Sequence, residues 1–172
     1  MVGLLGTVGR LSRETTEPED VLEWRGDEAT TSYTDGRVSV TAVSHPLEAE
    51  PQPAWTDGGN VAIWLWGPVW GFETPGGEYR LPDDTAAAYC STLYEEFGLT
   101  FVSGLNGNFA GLVYDQRADE VTFFTDRLGT HPLYVIKVDD GIVFSSDIQQ
   151  LETHPAVDVE FDLEYLAEYF SL

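Results

Sequence analysis

The sequence contains few thiol and imidazole side chains, which are common nucleophiles, general bases and zinc ligands. The chain has one cysteine, Cys90, and three histidines, His45, His131 and His154. A single thiol excludes an internal disulfide and provides no thiolate set for zinc. The histidines are scattered along the chain beside prolines, so we interpret them as turn residues and predict no metal site. No paired carboxylates and no phosphate-binding glycine loop stand out either.

Cys90 lies in the clearest predicted helix, which spans residues 85–97. Asp83 and Asp84 can cap its amino end, and Gly98 follows its last turn. Its apolar positions fall on one face, formed by Ala87, Cys90, Tyr94 and Phe97. We therefore expect the thiol to pack in the core and not to react.

Most of the remaining pattern predicts strands. Residues 38–42 alternate with a period of two, and the continuous apolar run 61–66 is typical of a strand buried on both faces. Residues 12–36 are polar and irregular by comparison. Further predicted elements are strands at 1–9, 111–115, 121–126, 133–138 and 142–145, hairpin turns at 116–119 and 139–141, a short helix at 147–152 and a last helix from Leu163, capped by Asp162. Many short strands with helices between and after them indicate an antiparallel α+β sandwich.

The composition is that of one folded, acidic domain. Of the 172 residues, 42% are hydrophobic, and 30 acidic residues face 8 basic ones, for a formal charge of -22. Such an excess repels phosphate backbones and anionic lipids, so we expect neither nucleic acid nor a membrane as partner. The longest apolar stretch, 61–72, is too short to span a bilayer, and the start does not resemble a signal peptide, so we expect a cytoplasmic protein. Because Lys137 is the only lysine, we further hypothesise a salt-adapted cytoplasm.

Four sequence blocks, in one order, resemble those of asparagine synthetase and its class II glutamine amidotransferase relatives. The family blocks are LNGxFAxxxYD, RDRxGxKPLYY, FASEIKAL and the helix that leads out of the domain. Their counterparts here are LNGNFA at 105–110 with VYD at 113–115, TDRLGTHPLY at 125–134, FSSDI at 144–148, and HP at 154–155 with residues 161–169. The first half is similar more faintly, through MVGLLG at 1–6 and WRGD at 24–27.

The same blocks also have structural explanations of their own. Asn106 and Gly107 before a strand predict a tight turn. Asp126 and Arg127 at a strand end predict a charge-assisted pair that holds the loop through Gly129. We prefer this scaffold role for these residues over a role in chemistry.

The resemblance implies the fold of the N-terminal nucleophile (Ntn) hydrolases. This is an αββα sandwich, two antiparallel sheets between helix layers, and it would cover residues 1–172 as a single domain. The resemblance also implies a C-terminal synthetase domain outside this chain as partner, with a homodimer as a further option. ATP and Mg would belong to that absent domain only, because its SGGxDS motif is missing from this sequence. We therefore expect no cofactor in this chain.

The residues that this family uses to hydrolyse glutamine are replaced here. The family needs a thiol as the first residue of the processed chain, where the free α-amine can act as a base, but this position is Val2. By alignment, the arginine that would bind the substrate carboxylate appears as Pro46. The asparagine that would donate to the oxyanion appears as Trp66, which leaves only Gly67 to offer an N–H.

The group that would bind the substrate's amine is also replaced. The family's aspartate appears as Ala86 or, with a two-residue slip, as Asp84. The indoles of Trp66 and Trp70 are bulky enough to fill a glutamine pocket, so we expect that pocket to be closed. Nucleophile, oxyanion donor and substrate clamp are thus predicted to be absent together.

The leading hypothesis from the sequence is a pseudo-glutaminase domain, a scaffold at the front of an asparagine synthetase-like protein of which this chain is a fragment. Two alternatives stay open. One is an active glutamine-hydrolysing domain that uses another nucleophile, for which Cys90 is the candidate. The other is a free-standing module that binds a ligand or partner through the aromatic-rich segment 64–72.

The charge predicts that salt stabilises the fold. A net charge of -22 opposes the compact state at about 0.1 M salt, while about 1 M salt shortens the screening length from ~10 Å to ~3 Å. We expect the free energy of unfolding, measured by urea denaturation, to rise between about 0.1 and about 2 M KCl. An unchanged free energy across that series would show that charge repulsion does not limit stability.

Overall fold

The computed structural model describes residues 3–13, 28–48, 50–160 and 163. Its strands, in chain order, are β1 (Gly3–Gly9), β2 (Ala29–Thr34), β3 (Val38–Ser44), β4 (Ala54–Trp55), β5 (Val61–Trp66), β6 (Val69–Glu73), β7 (Tyr79–Arg80), β8 (Leu105–Gly107), β9 (Ala110–Asp115), β10 (Glu120–Thr125), β11 (Tyr134–Val138) and β12 (Gly141–Ser145). Its α-helices are α1 (Ala86–Phe97), α2 (Phe101–Gly104) and α3 (Ile148–Thr153), and short 3-10 helices span Arg10–Arg13, Pro46–Glu48 and Gly98–Thr100. None of these described helices is both long and apolar enough to cross a membrane.

The strands form two large sheets and a small third one. The first sheet has the order β11-β12-β1-β3-β2, the second β10-β9-β5-β4 and the third β7-β6-β8. Every pairing among the described strands is antiparallel. Both predicted hairpins are present, since β9 pairs with β10 and β11 with β12. The predicted α+β class is confirmed.

A layer of apolar side chains joins the two large sheets. Alternation along β5 sends Ala62 and Trp64 into this layer, while Val61, Ile63 and Leu65 face the opposite side. β5 is therefore buried on both faces, as its continuous apolar run predicts. The layer between the sheets contains Leu4, Val8, Val38, Val40, Ala42, Ala62, Trp64, Leu112, Tyr114 and Phe144.

Helices cover the outer faces of this sandwich. On the second sheet, Cys90 and Leu93 of α1 pack in one cluster with Ile63 and Phe72. On the first sheet, α3 lies against β12 and β11. The side chain of Asp147 caps α3 by accepting from the N–H of Gln149 at 2.9 Å. The layers thus follow the order of an αββα sandwich, as the Ntn-type fold requires.

The amino end of α1 differs in one detail from the prediction. The Thr85 hydroxyl, and neither Asp83 nor Asp84, caps the helix by accepting from the N–H of Ala88 at 3.3 Å. Thr85 directly precedes the first helical residue, which is the position from which a side chain reaches the first turn. The Asp84 carboxylate accepts instead from the N–H of Thr85 at 2.6 Å. Gly98 ends the helix with φ 58°, as predicted.

Two other predicted features are wrong. The segment 12–36, predicted to be irregular, contains β2, an edge strand whose residues alternate between half-buried and exposed. Its apolar signal is weak because serine and threonine suit an edge position that buries little surface. Asn106 and Gly107 lie in β8 and not in a turn, and a Cβ at Gly107 would overlap the carbonyl oxygen of Pro68. The segment 24–27 and all of the predicted last helix except Leu163 lie outside the described residues.

Candidate functional site

A cavity of about 450 Å³ opens at one end of the sandwich. At this end β1 begins and β3 and β5 end, so their terminal residues meet. The lining residues are Gly3, Leu4, Thr31, Ala42, Val43, Ser44, Glu50, Gln52, Leu65, Trp66, Gly67, Pro68, Ala86 and His131. Both large sheets, the start of α1 and the loop between β10 and β11 therefore contribute to one wall.

Three of the predicted site positions, Trp66, Gly67 and Ala86, lie together on this cavity. They are separated by up to twenty positions in the sequence, and the end of β5 and the start of α1 bring them together. Gly3 also lines the cavity. Val2, which precedes Gly3 in the sequence, lies outside the described residues.

Pro46 and Asp84 are not on the wall. Pro46 begins an exposed 3-10 helix, and Ser44, two residues earlier, lines the cavity. Asp84 is exposed and binds the N–H of Thr85. Because Ala86 lines the cavity and Asp84 does not, the geometry favours the alignment without the two-residue slip.

The indole of Trp66 and the imidazole of His131 stack to form a flat part of the wall. Their ring centroids are 4.5 Å apart, and their planes are inclined by 16°. Gly67 permits this packing, because it has φ 103° and a Cβ there would overlap the His131 ring. The sequence predicts only a turn role for His131. Nothing in its neighbourhood marks it as a cavity residue, because its loop meets the end of β5 only in the folded chain.

Of the two indoles predicted to fill the pocket, only that of Trp66 lines this cavity. Trp66 lies in the wall, whereas Trp70 is 52% exposed and is not among the lining residues. A register shift between Val69 and Gly71, where β6 pairs with β8, occurs at Trp70.

Gln52 is a cavity residue that the sequence pattern does not single out. Its amide oxygen accepts from the N–H of Leu65 at 3.0 Å, and its amide nitrogen donates to the carbonyl oxygen of Leu65 at 2.7 Å. These two bonds fix the segment before β4 to β5. A glutamine beside a proline in a polar segment has no periodicity that would reveal such a role.

Asp126 holds the loop that carries His131. Its buried carboxylate accepts from the Thr130 hydroxyl and from three backbone N–H groups, those of Phe109 (3.1 Å), Leu128 (2.8 Å) and Thr130 (3.1 Å). Burial by itself raises the pKa of Asp126, but these hydrogen bonds outweigh it and lower the pKa to about 2.

The predicted ion pair between Asp126 and Arg127 is wrong. The Arg127 guanidinium donates to the carbonyl oxygen of Ser103 at 3.2 Å. The backbone amides of the loop surround the Asp126 oxygens, and they satisfy the carboxylate without the neighbouring side chain. The hydrogen bonds to Asp126 therefore stabilise the loop internally, and the bond from Arg127 to Ser103 connects it to α2.

Cys90 is fully buried in the cluster under α1 and does not line the cavity. Burial raises the pKa of its thiol to about 12, which keeps the thiol protonated near neutral pH. His45 and His154 each accept a backbone N–H two residues further on, as turn residues do. In the part of the chain that the structure describes, no three His, Cys, Asp or Glu side chains group so as to hold a metal ion.

The sandwich is that of an Ntn-hydrolase-type glutamine amidotransferase domain. The sequence profile described as "Glutamine amidotransferase domain" matches residues 1–172, and the chain belongs to this family.

Its relatives include several asparagine synthetases. The chain is 22% identical over 150 residues to "Asparagine synthetase [glutamine-hydrolyzing] 2" of Bacillus subtilis (strain 168), a match that covers 83% of this chain and 20% of that protein. It is 31% identical over 97 residues to "Asparagine synthetase [glutamine-hydrolyzing] 3" of the same organism, a match that covers 56% of this chain and 16% of that protein. A third relative, "Probable asparagine synthetase [glutamine-hydrolyzing]" of Dictyostelium discoideum, is 29% identical over 119 residues. This match covers 62% of this chain and 20% of that protein. The chain spans about a fifth of the length of these relatives.

We predict that Asp126→Asn destabilises the fold. The new amide nitrogen would face N–H donors, and a buried donor without a partner costs about 1–3 kcal/mol. The folded-state pKa of Asp126 lies at about 2, below its ordinary value of 3.8, so the ionised carboxylate stabilises the fold at every pH above about 4. This contribution is lost as the pH falls from about 4 through about 2.

Urea denaturation of both proteins between about pH 7 and about pH 2 measures this effect. We expect a difference in unfolding free energy of about 1–3 kcal/mol at neutral pH that shrinks below about pH 4. Asp158→Asn changes an exposed aspartate and should match the wild type. A difference that stays constant down to the lowest pH would mean that the charge of Asp126 is not its cause.

We predict that native Cys90 does not react with the thiol reagent DTNB, because its side chain is fully buried and its pKa is raised to about 12. The same thiol should react at once in guanidinium chloride. T92C in a C90S background places a thiol on the exposed side of the same helix and should react in the native state. Rapid native reaction of the wild-type chain would refute the burial of Cys90.

Proposed function

We propose that this domain does not hydrolyse glutamine and is a scaffold domain of an asparagine synthetase-like, ATP-dependent amide-forming protein. Its partner would be the C-terminal synthetase domain of the same protein, which would bind ATP and Mg. Nitrogen would come from free ammonia or from an amine on the substrate. A cytoplasmic location, a salt-adapted source and a homodimer belong to the same proposal.

The wall of the cavity carries this proposal. The positions that resemble the family's machinery, Trp66, Gly67 and Ala86, line one cavity together with Gly3. The residue before Gly3 is Val2, whose side chain has neither a lone pair nor an acidic proton and so cannot form an acyl-enzyme. In this proposal the cavity corresponds to the family's reaction site, and valine replaces its reacting thiol.

The groups that would bind glutamine are replaced as well. Ala86 offers no acceptor for the substrate's amine, and among the described residues no arginine or lysine lines the cavity to bind its carboxylate. By alignment, Trp66 stands where the family has its amide donor, and its indole stacks on His131. Loss of one oxyanion donor alone removes ~3–4 kcal/mol of transition-state stabilisation.

Each alternative function has an observation in its favour. The names of the relatives include glutamine hydrolysis, which favours an active domain. Against it, the only thiol of the chain, Cys90, is buried and has a pKa of about 12. The open cavity of about 450 Å³ favours a ligand-binding module, whether or not a synthetase domain follows.

We predict that the purified 172-residue chain releases no ammonia from L-glutamine above a protein-free blank. A diazo-ketone analogue of glutamine should leave its intact mass unchanged, because no thiol stands at position 2 to be alkylated. Asparagine synthetase [glutamine-hydrolyzing] 2 of Bacillus subtilis is the positive control for both measurements.

Ammonia release or a covalent adduct would overturn the proposed function. Release that disappears in Cys90→Ser would assign the nucleophile to Cys90 and support the active-domain alternative. Release that persists in Cys90→Ser would require a nucleophile other than a thiol.

A further inference from the structure

The stacked rings of Trp66 and His131 form an aromatic platform in the cavity wall. Their centroids are 4.5 Å apart and their planes are inclined by 16°, so the two rings are nearly parallel. Such stacking is one of the favoured arrangements of aromatic rings. Both residues line the cavity of about 450 Å³. The wall therefore includes an aromatic surface that the protein itself assembles.

Backbone contacts fix the position of this platform. Gly67 has φ 103°, and a Cβ there would overlap both the His131 ring and the carbonyl oxygen of Asn108. The loop that carries His131 is held by the buried Asp126 carboxylate, which accepts from the N–H of Thr130 at 3.1 Å. A surface that is already ordered loses less conformational entropy on binding than a mobile one.

Aliphatic groups line the same cavity as the platform. Leu4, Val43, Leu65 and Ala86 contribute them from both large sheets and from the start of α1. Small-molecule sites are lined mainly by apolar and aromatic side chains and have volumes of about 300–1,000 Å³. The cavity has both properties, so its wall suits the faces of an apolar ring.

Several polar side chains of the wall are already bound within the protein. The Gln52 amide binds Leu65 through both of its polar atoms. The Ser44 hydroxyl donates to the carbonyl oxygen of Ala29 at 3.4 Å. Glu50 also has an interaction partner in the folded chain. A ligand that bound through these groups would have to displace existing contacts, whereas stacking on the platform leaves them intact.

We propose that this cavity binds a planar aromatic compound, which stacks on the platform of Trp66 and His131. This inference rests on the proposed function, because a domain that hydrolysed glutamine would need the same cavity for glutamine. It also narrows the binding-module alternative. Within the aromatic-rich segment 64–72, Trp66 is the aromatic side chain that lines the cavity.

Two probes that share a carbon skeleton and a hydroxyl group test the preference for a planar ring. They are 2-naphthalenemethanol, which is flat and aromatic, and its decahydro derivative, which is puckered and saturated. Ligand-observed NMR titration of the 172-residue chain measures both affinities. We expect the planar probe to bind about three- to ten-fold more tightly, because stacking adds to the burial of area. The saturated probe is the more apolar one, so non-specific hydrophobic binding would favour it instead.

Variants assign the preference to the platform. Trp66→Leu should abolish the preference for the planar probe, because both probes then meet an aliphatic side chain. Trp70→Leu is the matched control, since this indole is 52% exposed and is not among the lining residues, and it should change neither affinity. Thermal unfolding of each variant establishes that it is folded, and the comparison of the two probes on the wild type needs no variant.

The proposed aromatic site is refuted if the two probes bind equally, if the saturated probe binds more tightly, or if neither binds. It is also refuted if Trp66→Leu and Trp70→Leu reduce the preference to the same extent. A glutaminase assay on the same preparation separates this inference from the proposed function. Ammonia release refutes the proposed function, whatever the probes do. Equal probe affinities without ammonia release refute only the aromatic site.

Discussion

The arrangement of the cavity depends on the first strand lying in the middle of the first sheet. β1 pairs with β3 on one side and with β12 on the other, so this strand is enclosed between two neighbours. Glycines make this packing possible, because a Cβ at Gly6 would overlap the carbonyl oxygen of Ser39 and the ring of Phe144, and one at Gly3 would overlap the Ser146 hydroxyl. Because β1 begins at the cavity, Gly3 and Leu4 form part of its wall.

The cohesion of the two sheets comes mainly from the apolar layer that they share. At the end opposite the cavity, Arg37 pairs with Asp119 at 2.7 Å, and Gln116 donates to the Tyr33 hydroxyl at 3.0 Å. These contacts join the two sheets, but exposed ion pairs contribute only ~0–1 kcal/mol each. Trp64 and its apolar neighbours are removed from water between the sheets, and their burial supplies the larger share of the stabilising free energy. In a chain with a charge of -22, this stabilisation offsets the repulsion among the negative side chains.

The residues that hold the cavity walls in this domain can be described separately from those that would carry out a reaction. The Asp126 carboxylate still holds the loop of His131, Gly67 still permits the close approach of that loop, and Gln52 still fixes the segment before β4. These residues hold the walls of the cavity, to which Trp66, Gly67 and Ala86 contribute an apolar surface.

The sequence by itself determined the fold class, the position of α1, the double burial of β5 and the burial of Cys90, because each follows from a local period or from a nearby cap. It also determined that no thiol stands at position 2, since that is a matter of residue identity alone. Only the tertiary structure decided that Trp66 lines the cavity while Trp70 leaves it, that His131 stacks on Trp66, and that Asp126 binds backbone amides in place of Arg127. Those outcomes depend on contacts between residues far apart in the chain, such as the loop of His131 that meets the end of β5, and such contacts produce no periodic pattern in the sequence.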